Sequence, residues 1–572
     1  MKNGLPTEKP VNGLQQGFGE FTERTLHNPK GDNMIRYSFR SGQFDLIADT
    51  YTVMRRHGKD LFHIRTKTAP DEDILILSPD CGIGTAKGEW TEDAVPQGMF
   101  QTEKLRFCFH TAAGDETTLT FHSDRIELKA ELGSGHPAGD FKVGLARGSK
   151  CFANQVFSPG LPDFQLSRNH KFRPSEPLSL EPGLISPPAW SFSMRENCGK
   201  WFFAGIEPVL EEFNFWAFGT DPGSESQLQY HVAYQKMPEC KTRFSVPALV
   251  FEFGMNDEYE ALSAYTRSIV KSGRFTPVRR TFPDWHRGIS VCGWSRQCEL
   301  IKPLENCTQK CYEEYVSDIE NAGLDFDILI IDDFWGPKHG IWQPDTAKWP
   351  DLRGFIDRQH AKGRHVLLWV STMAEGRSDE EVLPSCQGGA YNLDSKRFQK
   401  TLKEDCRRLF SDAPGCFNAD GVKFDFTSVL PDDYGNCTYR GVGFMYRLFE
   451  LLHEAVLEVK PEAVVLCQSN NPYYTKVMTM IRLNDYTGLP ENGLEEMSIR
   501  ARAAMAACPG LVVDTDHLAY YNDYPFDYDF FRKIGEYGSQ SWYLTKRIFA
   551  DEKLMAILRE NTEKYLIHPQ KD

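Results

Sequence analysis

The chain has no long apolar run, no excess of positive charge and no regular pairing of cysteines, and each absence narrows what it does. No stretch approaches the roughly 20 apolar residues that cross a bilayer. The opening Met1-Lys2-Asn3-Gly4-Leu5-Pro6 carries no apolar core of the secretory type, so the expected setting is cytoplasmic, without a membrane partner. Basic side chains number 65 against 80 acidic ones, a formal charge of −15. Nucleic acid phosphates and anionic lipid surfaces would be repelled, and a neutral ligand is the easier partner. The 15 cysteines are an odd number, scattered through apparent strands and helices, and read as reduced thiols. The closest group, Cys292, Cys298, Cys307 and Cys311, lacks C-x-x-C spacing and nearby histidines at ligand intervals, so no metal is expected. Internal repeats and low-complexity tracts are missing too.

What is present is enough for two large domains: 572 residues, 41% of them hydrophobic. The rhythm changes near residue 255. Before it, short alternating runs such as Leu105-Arg106-Phe107-Cys108-Phe109, Thr118-Leu119-Thr120-Phe121 and Ile126-Glu127-Leu128-Lys129-Ala130 are punctuated by Gly, Pro, Asn and Asp. Period two between turn residues predicts an antiparallel β-sandwich over residues 1–255. Its aromatic stretch, Trp201, Phe202, Phe203, Phe213, Phe215, Trp216 and Phe218, reads as sandwich core and domain interface. A connecting helix over 256–271 and a Pro-containing linker fill residues 256–284.

From residue 285 to 572 strand, loop and helix alternate. Strands are expected at 289–294, 327–331, 364–370, 421–426, 463–467, 477–483, 511–514 and 541–544. The sixth and eighth are the least distinct, and the sixth has little room for a helix before it. Helices are expected at 308–322, 351–362, 395–410, 444–459, 491–507, 527–537 and 551–566. Runs such as Ile328-Leu329-Ile330-Ile331 are apolar on both faces, as parallel strands covered by helices must be. The whole is therefore α/β plus all-β: a C-terminal (β/α)8 TIM barrel preceded by an N-terminal antiparallel β-sandwich.

Barrels of this kind work at the carboxyl ends of their strands. Those ends carry Trp294, Asp332-Asp333-Phe334-Trp335, Trp369, Lys423 and Asp425, Cys467-Gln468-Ser469, Arg482 and Asp485, then Asp514 and Asp516. Carboxylates accept hydrogen bonds from sugar hydroxyls, and indole faces cover the apolar side of a pyranose. The combination predicts a carbohydrate pocket. His360 and His365, beside a helix-to-strand turn at the opposite end, are expected to be structural.

On Ile331-Asp332-Asp333-Phe334-Trp335, Trp369, Val422-Lys423-Phe424-Asp425, Cys467-Gln468-Ser469-Asn470-Asn471-Pro472 and Arg482-Leu483-Asn484-Asp485, the barrel half resembles clan D glycoside hydrolases, above all the family 36 α-galactosidases. The resemblance implies Asp425 as nucleophile and Asp485 as acid and base, in a retaining mechanism. Asp332 and Asp333 would hold the C4 and C6 hydroxyls, Lys423 the C3/C4 hydroxyls, and Arg482 would bind near the C2 hydroxyl. The charge of Lys423 would also help keep Asp425 ionised. Trp369 would form a wall, and Trp294, Cys467 and Ser469 complete the candidate binding set. No cofactor is implied, the partner is a small carbohydrate, and a homo-oligomer is compatible with the family.

Three local departures mark this chain. Phe334 follows the aspartate pair where many relatives have Gly. Gln468 and an additional Asn replace a tighter Cys-Gly-Ser-Pro. Arg482 stands one residue closer to Asp485 than is usual. The last two line the C2 side of the sugar and leave its substituent, hydroxyl or N-acetyl, open. An α-N-acetylgalactosaminidase, a galactosyl transfer enzyme and a non-catalytic carbohydrate-binding protein are the alternatives.

Overall fold

The computed structural model describes residues 34–568, apart from 41–42, 57–60, 79–97, 111–114, 134–137, 160–170, 173–177, 181–186, 221–226, 278–279, 301, 428, 436, 487–491 and 517–524. The expected start of one helix, Glu491, lies outside the described residues, as does the side chain of Phe218.

Among the described residues, two antiparallel sheets, of ten and nine strands, are built between Ile35 and Met255. The alternation read in the sequence is what lets them face each other. In Arg125–Leu132 the side chains of Leu128, Ala130 and Leu132 are buried while those between them are half-buried. Leu105 pairs with Phe121, and Leu119 with Leu128. Rings from the two sheets then meet: Phe44 with Phe107 at 5.3 Å and Phe62 with Phe121 at 5.5 Å between centroids.

Helix Glu258–Lys271, capped by the Asp257 carboxylate, leads from the sheets toward the barrel. Eight parallel strands follow: β1 Ser290–Cys292, β2 Ile328–Ile331, β3 His365–Ser371, β4 Gly421–Asp425, β5 Val464–Cys467, β6 Met480–Arg482, β7 Val512–Asp514 and β8 Ser541–Trp542. They pair in sequence order, and β8 returns to pair with β1. Between β7 and β8 the ring is completed by Ser539, which bonds Val513 and Thr515 through its backbone at 2.8 and 2.9 Å. The barrel is thus nearly closed.

The helices between strands are α1 Gln309–Asn321, α2 Leu352–His360, α3 Lys396–Phe410, α4 Gly441–Val459, α5 Gly493–Ala507, α6 Tyr528–Lys533 and α7 Glu552–Tyr565. Thr308, Asp351, Ser395, Asp527 and Asp551 cap five of them with side-chain oxygens. Only the 3-10 turn Pro472–Lys476 separates β5 from β6, where little room for a helix was expected.

Alternation sorts the strand residues. Leu329, Ile331, Val422, Phe424 and Val465 pack outward under the helices, while Ile328, Ile330, Leu367, Leu466 and Met480 fill the barrel interior. Three expected strands are shorter than read by two residues or more, the eighth ending at Trp542. The first stops at Cys292, because Gly293 turns to helical dihedrals (φ −72°, ψ −9°) beside Tyr312, where a Cβ would lie 2.2 Å from that side chain. Trp294 is therefore no strand end; it opens the short helix Trp294–Cys298. The sixth begins at Met480, since Lys476 and Val477 complete the preceding turn.

The aromatic stretch joins the two parts as expected. Trp190 and Phe213 meet Tyr473 of the barrel at 5.0 and 5.4 Å, and the backbones of Phe213 and Phe215 accept from Gly443 and Val442 at the start of α4. Trp201, Phe202, Phe203, Phe213 and Phe215 are buried, and Trp216 is half-buried. No described helix is long and apolar enough to cross a membrane.

The floor of the barrel is polar. His360 bonds Asp420 at 2.7 Å and His365 lies 3.7 Å from the same carboxylate, the structural role expected of both. Asp327 gathers the backbone N–H groups of Ile289, Ile567 and His568, and the His568 ring bridges Asp327 and Asp325 at 2.9 and 3.1 Å. Those bonds, Asp325 first and then Asp327, raise the His568 pKa from 6.5 to about 9. A folded pKa above the unfolded one means stability fully present below about pH 6.5 and lost as pH rises through about 9. His568→Ala is therefore expected to lower the Tm in mildly acid buffer and to have little effect above about pH 10, as thermal unfolding at the two pH values would show.

Candidate functional site

At the carboxyl end of the barrel, β4 turns Lys423 and Asp425 inward because Val422 and Phe424 are claimed by the helix layer. The close approach to β5 that this requires is met by Gly421, at φ 151°, where a Cβ would stand 2.1 Å from the Val464 carbonyl oxygen. Asp425 Oδ2 accepts from Trp369 Nε1 at 3.1 Å, and Oδ1 from Gln468 Nε2 at 3.2 Å and the Phe426 N–H at 3.0 Å. With donors on both oxygens, the carboxylate is held in one orientation.

Arg482, at the end of β6, is the hub. Its Nε lies 2.7 Å from Asp516 Oδ2, its Nη2 donates to Asp485 and to Tyr543 Oη (3.3 Å), and its Nη1 lies 3.9 Å from Asp425 Oδ2. Burial would lower the guanidinium pKa, but Asp516, Tyr543 and Asp485 together raise it well above its ordinary value. Asp485 is the most open member, its side chain 26% exposed against 14% for Asp425. Arg500 of α5, bonded to Glu496 at 2.7 Å, gathers the carbonyls of Leu483, Asn484 and Asp485 at 3.0, 2.9 and 3.3 Å. The turn that presents Asp485 is thereby fixed from behind.

A second cluster lies below. Asp332 Oδ2 accepts from Lys423 Nζ at 2.7 Å and from Cys292 Sγ at 3.0 Å; its N–H donates to Tyr312 Oη at 2.8 Å. Lys423 also reaches Tyr543 at 3.5 Å. Burial would depress the Lys423 pKa, yet the Asp332 charge outweighs it and holds the ammonium above its usual range. Lys423 therefore pairs directly with Asp332, and its charge, which the sequence reading set to work on Asp425, also attracts that carboxylate more weakly. Asp333 bonds His339 at 2.9 Å. Burial raises its pKa, and His339 offsets part of that rise. Asp514 is raised by burial and then by Asp516.

Trp369 is 5% exposed, with His339 5.4 Å and Phe426 5.7 Å from its ring. A small cleft beside it runs between the β2 and β3 loops, lined by Asp333, Phe334, His339, Trp342 and Ser371. Four residues that shape these strand ends sit in the left-handed region: Phe334 (φ 66°), Phe426 (46°), Asn484 (68°) and Asp516 (54°). For non-glycine residues this costs about 1 kcal/mol or more each, and such strain gathers where side chains are held for use.

The expected residues divide accordingly. Asp332, Asp333, Trp369, Lys423, Asp425, Arg482 and Asp485 come together. Trp294 is half-buried against the barrel-interior cluster, and the place expected for it at the β1 end belongs to Cys292. The Cys467 side chain faces the helix layer. Ser469 is fully buried and accepts from the Asn471 N–H at 3.2 Å, bracing the loop. Cys292, Tyr543, Arg500 and His339 were not anticipated. Cys292 and Tyr543 meet partners far away in sequence, Arg500 reaches back to the β6 end, and His339 stands in the loop just after Asp333; only the inward parity of Cys292 offered a signal. Among the described residues, no group of His, Cys, Asp and Glu gathers in a metal-binding arrangement.

The architecture is an antiparallel sandwich before a parallel barrel with carboxylates at its mouth. No family model matches the sequence, and no curated protein matches it. Solved structures do match in fold. A GH31 family sulfoquinovosidase from E. rectale aligns with a TM-score of 0.57 at 13% identity, covering 92% of this chain and 82% of that one. An α-galactosidase from Lactobacillus brevis aligns at 0.54 and 12% identity, covering 91% and 83%. TtGalA, an α-galactosidase from Thermus thermophilus, aligns at 0.50 and 14% identity, covering 76% and 92%. At such identities the likeness is one of fold. It reaches a family 31 enzyme as well as α-galactosidases, so it does not single out family 36.

The Lys423–Asp332 pair has side chains only 3% and 4% exposed. Breaking a buried pair strands the remaining charge at a cost of about 3–5 kcal/mol. Lys423→Met is expected to lower the free energy of unfolding by that margin, read by equilibrium urea denaturation.

Proposed function

We propose that this chain is a retaining α-glycoside hydrolase, an α-galactosidase that releases terminal α-linked galactose from small oligosaccharides or glycosides. The observation that carries the reading is the single Arg482 guanidinium that reaches both Asp425 and Asp485 at the barrel mouth. Two carboxylates within one arginine head of each other suit a retaining pair, which works at about 5–5.5 Å rather than at the wider gap of inverting enzymes.

In this reading Asp425 attacks the anomeric carbon while Asp485 gives its proton to the departing glycosidic oxygen. The glycosyl–Asp425 ester is then opened by water, whose proton passes to Asp485. The donors on Asp425 aim it and spread its charge. Asp332 and Asp333 receive the C4 and C6 hydroxyls, Lys423 assists there, and Trp369 covers the apolar face of the ring. The preference for galactose rests on the ordered strand-end motifs and on two α-galactosidases among the structures of like fold. We assign the N-terminal domain to residues 1–255, the connection to 256–284 and the catalytic barrel to 285–572. The chain would act in the cytoplasm, in keeping with the free thiols of its described cysteines, and as a homo-oligomer.

Asp425→Ala is expected to cut kcat for an aryl α-galactoside by at least roughly 10⁴-fold without changing the circular dichroism spectrum. Ordinary activity in that variant would remove the assignment. Proton NMR during hydrolysis is expected to show the α-anomer first; initial β-anomer would mean inversion.

A further inference from the structure

Asp514 closes β7, is 1% exposed and has no part in the steps described above. It lies beside Arg482, its partner across the β6–β7 pairing, and its carbonyl accepts from the Leu483 N–H at 3.2 Å. Its carboxyl oxygens are occupied elsewhere. Oδ1 accepts from the Asp516 N–H at 2.9 Å, and Oδ2 from Ser290 Oγ at 3.4 Å. The first of these bonds closes the turn in which Asp516 sits at φ 54°. From that turn Asp516 meets Arg482 side-on, with Oδ2 at 2.7 Å from Nε and Oδ1 accepting from Nη2 at 3.2 Å. The same Nη2 donates to Asp485.

Resting on the assignment of Asp485 as acid and base, we infer that Asp514 is a positioning residue for that group: its carboxyl oxygen pins the Asp516 turn, Asp516 holds Arg482, and Arg482 aims Asp485 at the departing oxygen. A left-handed backbone at a non-glycine residue is costly and relaxes unless a local bond opposes it. The bond from the Asp516 N–H to Asp514 is that restraint. Without it Asp516 swings off Nε, and the guanidinium is given over to Asp485. A cation given wholly to one carboxylate favours its ionised form and opposes the protonated form that the first step needs. The pin itself needs no charge. Arg482 and Lys423 face Asp514 from β6 and β4, but Asp516 takes the first and Asp332 the second, at 2.7 Å each. From β1 and β8 come the neutral hydroxyls of Ser290 and Ser541. Burial, then the Asp516 charge, hold the Asp514 pKa well above the usual carboxylate range, against the pull of the Asp516 N–H, Arg482 and Lys423. An amide can therefore serve in its place.

The test compares kcat/KM, which covers the steps up to the first bond cleavage, on two α-galactosides. The dinitrophenyl glycoside loses its phenolate without a proton, whereas the methyl glycoside needs one from Asp485. Asp514→Ala is expected to lose roughly 30-fold or more on the methyl glycoside and less than about threefold on the dinitrophenyl one. Asp514→Asn keeps an oxygen for the Asp516 N–H and turns its amide toward Ser290 Oγ, so it is expected to stay within about threefold of the unaltered chain on both. Asp514→Val fills the space, offers no acceptor and is expected to behave as Asp514→Ala, so it decides where Asp514→Ala does not fold. Equal losses on the two substrates, full activity in Asp514→Ala or Asp514→Val, or a loss in Asp514→Asn as large as in Asp514→Ala would overturn the role of Asp514. Asp485 would keep its own role in each of these cases if Asp485→Ala is inactive on the methyl glycoside. Ordinary activity of Asp485→Ala on that substrate would instead remove the reading underneath.

Discussion

The barrel mouth depends on the buried charge of Arg482. One guanidinium faces Asp516, Asp485, Tyr543 and, at longer range, Asp425. Several carboxylates brought into a space of this size repel one another unless a cation stands among them, and a buried cation is tolerated only with such partners. Division of labour among the partners matters. Asp516 is fully buried and holds the Nε side, whereas Asp485 is a quarter exposed. The guanidinium keeps its place through Asp516 if Asp485 changes its charge, as the proposed acid and base would.

Below that hub the lumen changes character. Lys423, Asp332 and Cys292 form a compact polar layer, and beneath it Ile328, Ile330, Leu367, Leu466 and Met480 fill the barrel. The apolar plug gives the charged layer a low-dielectric floor, which strengthens each ion pair above it. The sandwich steadies the rim from outside. Asn471 donates to the Pro188 carbonyl at 3.0 Å and Tyr473 to Pro208 at 2.8 Å, so the loop that carries Gln468 is tied to the N-terminal sheets.

Much of this could be read from residue order because strand parity is a local property. Once Val422 and Phe424 are assigned to the helix layer, Lys423 and Asp425 must face the lumen, and the same holds for Asp332 after Ile331. Parity says which side a residue faces but not which partner it meets. The turn of Lys423 toward Asp332, the reach of Arg500 from α5 and the contact of Tyr543 with Arg482 are set by packing across the ring. Trp294 was misplaced for a local reason of another kind: Gly293 turns helical and ends β1 early. Asp516 was passed over because nothing near it in the sequence announces Arg482.

The left-handed residues at the strand ends bear on how this molecule can be improved. At Phe334, Phe426 and Asn484 glycine would relieve the backbone, whereas at Asp516 it would also strand the buried Arg482 charge. The looser chain would let neighbouring acidic groups wander, and glycine also adds freedom to the unfolded form. Relief of the backbone and firm placement of the carboxylates would thus pull opposite ways at one short set of codons.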